Sequence, residues 1–277
     1  MTLRNIPPGM AADAIACIDA RLDDVCREHG VSIPLAIESG SRAWGFPSPD
    51  SDYDCRFLFI RPVADYLSPW HKRDVIETPL EGELDVNGWD LGKALKLLLK
   101  GNAVVIEWLT SPIAYRGDAQ FRQELLALAR QVVRRDLVGR HYLHLGERQR
   151  RAYFTDERAV PQKKIFYALR PAAALRWLRL HPEHSVAPMH FPTLFAECEP
   201  PAELAGIVAD LIARKSVTRE LGSEPLPRAV SAFIDAEFTS AREAFEGVDD
   251  RPDTHGKERA EAFFLDALRR LAPRAYF

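Results

Sequence analysis

Three aspartates at alternate positions, Asp50, Asp52 and Asp54, stand in the stretch ESGSRAWGFPSPDSDYDCRFLFI, residues 38–60. Carboxylates this close together repel unless water or a cation separates them. If the apolar run that follows is a strand, Asp52 and Asp54 project to one face, roughly 6–7 Å apart at Cα, and Tyr53, Cys55 and Phe57 project to the other, where a core is expected. Hard oxygen ligands in that arrangement suit a pair of divalent cations. A third carboxylate, Asp85, lies in a second apolar segment, ELDVNGW. It faces the pair if the two strands are neighbours. Upstream, Gly40-Ser41 ends another apolar run. Glycine lets the backbone approach a ligand closely. N–H groups at a strand-to-helix turn, with the serine hydroxyl, suit phosphate oxygens, and Arg42 adds charge.

Rival readings fit less well. An EF-hand loop beginning at Asp50 needs glycine at its sixth position and glutamate at its twelfth; the chain has Cys55 and Arg61 there. A phosphohydrolase nucleophile would follow directly on an apolar strand, whereas here a Pro-Ser turn precedes the aspartates. A plain acidic turn accounts for the D-x-D alone. It does not account for the ordered set of apolar strand, Gly-Ser, D-x-D, apolar strand and later strand aspartate.

The elements that must position these residues follow from periodicity. Ala14, Ile15, Ile18, Leu22 and Val25 give helical spacing, closed by Gly30. VSIPLAIES and YDCRFLFI read as strands, and DVIETPLEGELDVNGW as two short strands around Gly82. DLGKALKLLLKG is a helix with Asp90 at its N-cap and Gly101 at its end, and NAVVIEWLTS is a helix capped by Asn102. From about residue 119 the pattern is helical, apart from loops at 182–201 and 222–227. Trp44, Trp89 and Trp108 read as core. The expected fold class is α+β: a mixed sheet with helices over residues 1–118, then an all-helical domain over 119–277.

No apolar window approaches the ~18 residues of a membrane span, and the N-terminus lacks the apolar core of a signal peptide. The four cysteines, Cys17, Cys26, Cys55 and Cys198, form no C-x-x-C pair. A reduced, cytoplasmic protein is the expectation. The net charge of −3 hides an asymmetry: residues 119–180 hold 14 Lys+Arg against 5 Asp+Glu, between two acidic blocks. Such a block points to a polyanion partner or a phosphate-rich substrate, or else to a solvated helical face.

The Gly-Ser turn, D-x-D and third strand carboxylate resemble the polymerase-beta-type nucleotidyltransferase superfamily. DVNGWDLGKALKLLLKGN, VVIEWLTSPIAY and KKIFYALRPAAALRWL resemble more closely a branch of predicted bacterial and phage nucleotidyltransferases, some of them linked to RNA ligases and RNA repair. The resemblance covers most of residues 32–180. It implies that Gly40 and Ser41 hold a triphosphate, that Asp52 and Asp54 ligate two Mg²⁺ (or Mn²⁺), and that Asp85 completes the second site and helps activate the attacking hydroxyl. Beside it, Lys163, Tyr167 and Arg170 share one helical face, with Lys164 adjacent. A Lys/Arg pair there suits β- and γ-phosphates, and Tyr167 suits a base or ribose. Pro171 is expected to end or kink that helix. The implied activity is Mg²⁺-dependent transfer of a nucleoside monophosphate from ATP or another NTP to a hydroxyl, releasing pyrophosphate. The acceptor stays open between an RNA end, a protein and a small molecule. A non-catalytic nucleotide- or RNA-binding module is the other class of answer. The intact Asp52, Asp54 and Asp85 argue against it.

Overall fold

The computed structural model of the protein describes residues 2–219, 221–249 and 253–274. The first apolar stripe winds into α1 (Ala12–His29), closed by Gly30 in the left-handed conformation. Strand β1 (Ser32–Glu38) leads into a one-turn helix, α2 (Ser41–Trp44), and then β2 (Tyr53–Ile60). A short helix, α3 (Val63–Leu67), precedes β3 (Val75–Glu77) and β4 (Leu84–Asp90). Helices α4 (Leu91–Leu99) and α5 (Ala103–Thr110) start at the expected caps: Asp90 accepts from the Gly92 N–H, and Asn102 from those of Val104 and Val105. Strand β5 (Ala114–Gly117) completes one sheet in the order β3-β4-β2-β1-β5. β2 and β4 run parallel and the other pairs antiparallel, so the sheet is mixed.

The period-2 alternation of β2 divides the core. Tyr53, Cys55, Phe57 and Phe59 pack with Ile18, Leu22 and Val25 of α1. Leu58 and Ile60, with Leu35 and Ile37 of β1, pack on the other face against α4 and α5. That second core continues through α6 (Ala119–Val132), α7 (Arg135–Tyr153) and, after the two-residue strand β6 (Val160–Pro161), α8 (Gln162–Leu180). The chain then forms α9 (Phe191–Glu197), α10 (Ala202–Val217), β7 (Ser223–Glu224), α11 (Arg228–Phe245) and α12 (Thr254–Leu271). Helix α12 folds back onto α4 and α6, and Ser32 of β1 donates to the Leu271 carbonyl.

Three local readings need correction. Helix α8 does not end at Pro171; the proline lies inside it. A proline there forfeits one helical hydrogen bond, but α8 is buried between α7 and α11, and Pro171 packs on Gly146, where an added Cβ would be 3.0 Å from the proline Cβ. Within the Pro-rich stretch read as loop, Phe191, Leu194 and Phe195 are buried and carry α9, with Pro192 in its first turn. In GSEPLP, Ser223 and Glu224 pair with Val160 and Pro161. Among the described residues no helix is long and apolar enough to cross a membrane.

Candidate active site

The end of β1 and the start of β2 meet at one end of the sheet, because the two strands are antiparallel and Glu38 pairs with Cys55. Gly40 leaves β1 at φ 111°, a conformation that L side chains rarely adopt. A Cβ on Gly40 would lie 2.1 Å from Asp54 Oδ2. The turn must therefore be glycine for the Asp54 carboxylate to rest against its backbone. Ser41 opens α2 and donates to Ser51 Oγ at 2.8 Å, and the Ser48 N–H donates to the same oxygen at 2.8 Å. Arg42 lies 3.9 Å above the Tyr53 ring and donates to the Ser51 and Asp52 carbonyls at 2.6 and 3.1 Å. These bonds fix the loop that delivers the aspartates.

β2 begins at Tyr53, so Asp52 precedes the strand and is exposed, while Asp54 is half-buried within it. On the parallel neighbour, Asp85 is the register partner of Asp54. The Arg56 guanidinium bridges them, 3.2 Å from Asp54 Oδ1 and 2.6 Å from Asp85 Oδ2, and donates to the Asp85 carbonyl at 2.8 Å. Burial raises the Asp54 pKa; Arg56 opposes the rise, and the Asp85 and Asp52 charges add to it. The two carboxylates already hold one cationic group, the Arg56 guanidinium, between them. Among the described residues no three His, Cys, Asp or Glu side chains are gathered closely enough to hold a metal ion. Asp54 and Asp85 form the facing pair, and Asp52 stands at its open side.

Sequence reasoning missed Glu38. It is fully buried, accepts from the Asp54 N–H at 3.0 Å and accepts from the Tyr115 hydroxyl. Burial pushes its carboxyl up to about 7, against the two hydrogen bonds. The available signal was a glutamate closing an otherwise apolar strand. Lys215 was missed too. It is buried, donates to the Phe46 carbonyl at 2.6 Å and lies 5.0 Å from the Phe46 ring. Burial first, and Lys163 second, lower its pKa to about 8. Nothing in α10 marks it locally.

Helix α8 lies against the same loop. Lys163 bonds Asp50 at 3.0 Å, and Lys164 lies 4.9 and 4.6 Å from the Tyr153 and Tyr167 ring centroids. Tyr167 meets Trp44 of α2 edge-on at 6.1 Å. Arg170, one turn further, is buried: it lies 3.8 Å above Trp44 and bonds Glu107 at 2.8 Å. The structure thus brings Gly40, Ser41, Asp54 and Asp85 together, sets Lys163 against Asp50 and Tyr167 against Trp44 of the intervening segment, keeps Lys164 on the rings of Tyr153 and Tyr167, and buries Arg170 beside Trp44 and Glu107.

A mixed sheet whose Gly-Ser turn abuts the strand aspartate of a D-x-D, with a third carboxylate on the adjacent parallel strand and helices after it, is the architecture of polymerase-beta-like nucleotidyltransferase domains. The chain belongs to the RNA repair pathway DNA polymerase beta family, whose sequence profile matches residues 15–266. That match runs through the C-terminal helices, well past residue 180. The chain is also similar to the uncharacterized protein YcgL of Bacillus subtilis (strain 168), 37% identical over 218 residues, which span 79% of this chain and 83% of that protein.

Proposed function

We propose that this protein transfers a nucleoside monophosphate from an NTP to the hydroxyl of an RNA end. The observation that carries the reading is the facing pair of Asp54 and Asp85, with Gly40 cleared of any side chain beneath Asp54. Backbone N–H groups of the Gly40-Ser41 turn and the Ser41 hydroxyl bind the triphosphate. Arg42, Lys163 and Lys164 balance its charge, and Tyr167 packs on the base or ribose. Asp85 orients the attacking hydroxyl and takes up its proton. The new O–P bond forms at the α-phosphorus as the bond to pyrophosphate breaks. Two Mg²⁺ ions, held by Asp52, Asp54 and Asp85, would supply charge neutralisation at the triphosphate and at the attacking oxygen. Arg56 holds the two strand aspartates in register before substrate arrives. The RNA acceptor is supported by the family's association with RNA repair.

The deciding experiment incubates the protein with each α-labelled NTP, Mg²⁺ and a mixed pool of RNA and protein. Label is expected in RNA, and neither EDTA nor Asp54→Asn should leave any transfer. Label in protein alone would move the acceptor. No label in any species, with NTP still bound, would establish the non-catalytic module.

A further inference from the structure

One cavity among the described residues is remote from the aspartates. It has a volume of about 850 Å³ and lies between the loop before β3, helix α4 and helix α12. Arg61, just past the end of β2, and Asp90, the last residue of β4, line it. Asp54 and Asp85 stand at the beginnings of those same parallel strands. At about 3.3 Å per residue, the two places are roughly 20 Å apart along the sheet.

Its floor is apolar, made by Leu95, Leu99, Ala260 and Phe264. Its walls carry seven Lys or Arg and four Asp or Glu. Three of those carboxylates are committed within the fold: Asp65 to Lys72, Asp74 to Lys93, and Asp90 to Tyr66 and Gly92. Lys96 on α4, Lys100 at its C-cap four residues on, and Lys257 on α12 are exposed and line the cavity, with no carboxylate within bonding distance among the described residues. Glu261 is the one lining carboxylate left to oppose them. Residues 71–74 line the mouth, and Trp70, immediately before them, is 83% exposed. An exposed tryptophan next in the chain to the lining residues, with lysines that meet no carboxylate among the described residues and an apolar floor, offers a stacking surface and a phosphate track.

The strongly basic block at residues 119–180 is spent differently. Arg150 pairs with Asp235, Arg176 and Arg179 share Glu237, Arg170 pairs with Glu107, and Arg135 donates to the Leu178 carbonyl. Arg150, Arg176 and Arg179 thus meet acids of α11, whereas the three cavity lysines meet no carboxylate among the described residues.

We propose that this cavity is a binding site for single-stranded nucleic acid, with backbone phosphates on Lys96, Lys100 and Lys257, a base or ribose on the apolar floor, and a neighbouring base stacked on Trp70. The site goes beyond the transfer reaction and does not depend on it.

The test measures fluorescence anisotropy of a short labelled single-stranded RNA with the full chain in EDTA, across a salt series. Absence of metal separates strand binding from nucleotidyl transfer, so either reading can fail alone. Wild-type protein should bind at low salt. Lys96→Ala/Lys100→Ala/Lys257→Ala should bind about tenfold more weakly or worse, with a log–log salt slope shallower by about 2, at ~0.7 per single-strand phosphate contact. Trp70→Ala should weaken binding about fivefold or more. Asp54→Asn should bind as wild type. All four side chains replaced at this site are exposed, and circular dichroism checks that the variants fold. The proposal is overturned if wild type fails to bind, if the triple variant binds unchanged, or if Asp54→Asn loses binding. It is equally overturned if free mononucleotide or polyglutamate competes as well as the oligonucleotide.

Discussion

Asp54 and Asp85 occupy matching positions on adjacent parallel strands, and the guanidinium of Arg56 spans their carboxylates. Parallel pairing places the beginnings of β2 and β4 side by side, so one end of the sheet concentrates negative charge that a single arginine partly offsets. Asp54→Asn or Asp85→Asn should reduce nucleotidyl transfer by about two orders of magnitude or more while far-UV circular dichroism stays unchanged. Arg56→Met removes the internal cation. In EDTA its Tm should fall below wild type, and Mg²⁺ should raise it by more than it raises the wild-type Tm. Equal Mg²⁺ shifts in the two proteins would mean that guanidinium and metal do not answer the same charge.

Gly40 must be glycine for two independent reasons, a positive φ and the 2.1 Å approach of Asp54 Oδ2 to its missing Cβ. Gly40→Ala should cost roughly 1–3 kcal/mol in urea unfolding from backbone strain, and should lower transfer further by displacing Asp54. Full activity with unchanged stability would refute the packing argument.

Lys163 and Arg170 share a helix but not an environment. The Arg170 side chain is 7% exposed and its partner Glu107 11%, whereas Lys163 and Asp50 are 28% and 35% exposed. Arg170→Ala leaves Glu107 buried without its cation and should cost about 3–5 kcal/mol. Lys163→Ala should cost under about 1 kcal/mol and weaken NTP binding more than NMP binding. Similar stability losses in the two variants would contradict this division of roles.

The buried Lys215 makes stability depend on pH. It loses its proton near pH 8 in the folded protein and near 10.5 in the unfolded chain. Between these values the unfolded chain holds more protons, so this residue's cost to folding is complete below pH 8 and disappears as pH rises toward 10.5. Its removal amounts to on the order of 3 kcal/mol. Unfolding of Lys215→Met across that window should lack this rise in stability relative to wild type; parallel curves would place the lysine ammonium in water.

The sequence by itself determined what local pattern can carry. The stripe of α1, the alternation of β2, the caps at Asp90 and Asn102 and the glycine at position 40 are set by neighbours a few residues away, and all were legible in the chain. So was the family, through the Gly-Ser turn, the D-x-D and Asp85. Tertiary structure decided what depends on distant residues. Whether Asp85 faces Asp54 rests on β2 and β4 pairing in parallel, which no period in either strand encodes. Glu38 becomes a buried support only because Tyr115 comes to it, and Lys215 reaches Phe46 across 169 residues of chain. Within the basic block, the pairing of Arg150 with Asp235 and of Arg176 and Arg179 with Glu237 is set by helices that follow it in the chain. Conversely, Lys96, Lys100 and Lys257 gave no signal until α12 closed beside α4. Charge in a sequence is a sum; its partners are assigned only when the helices pack.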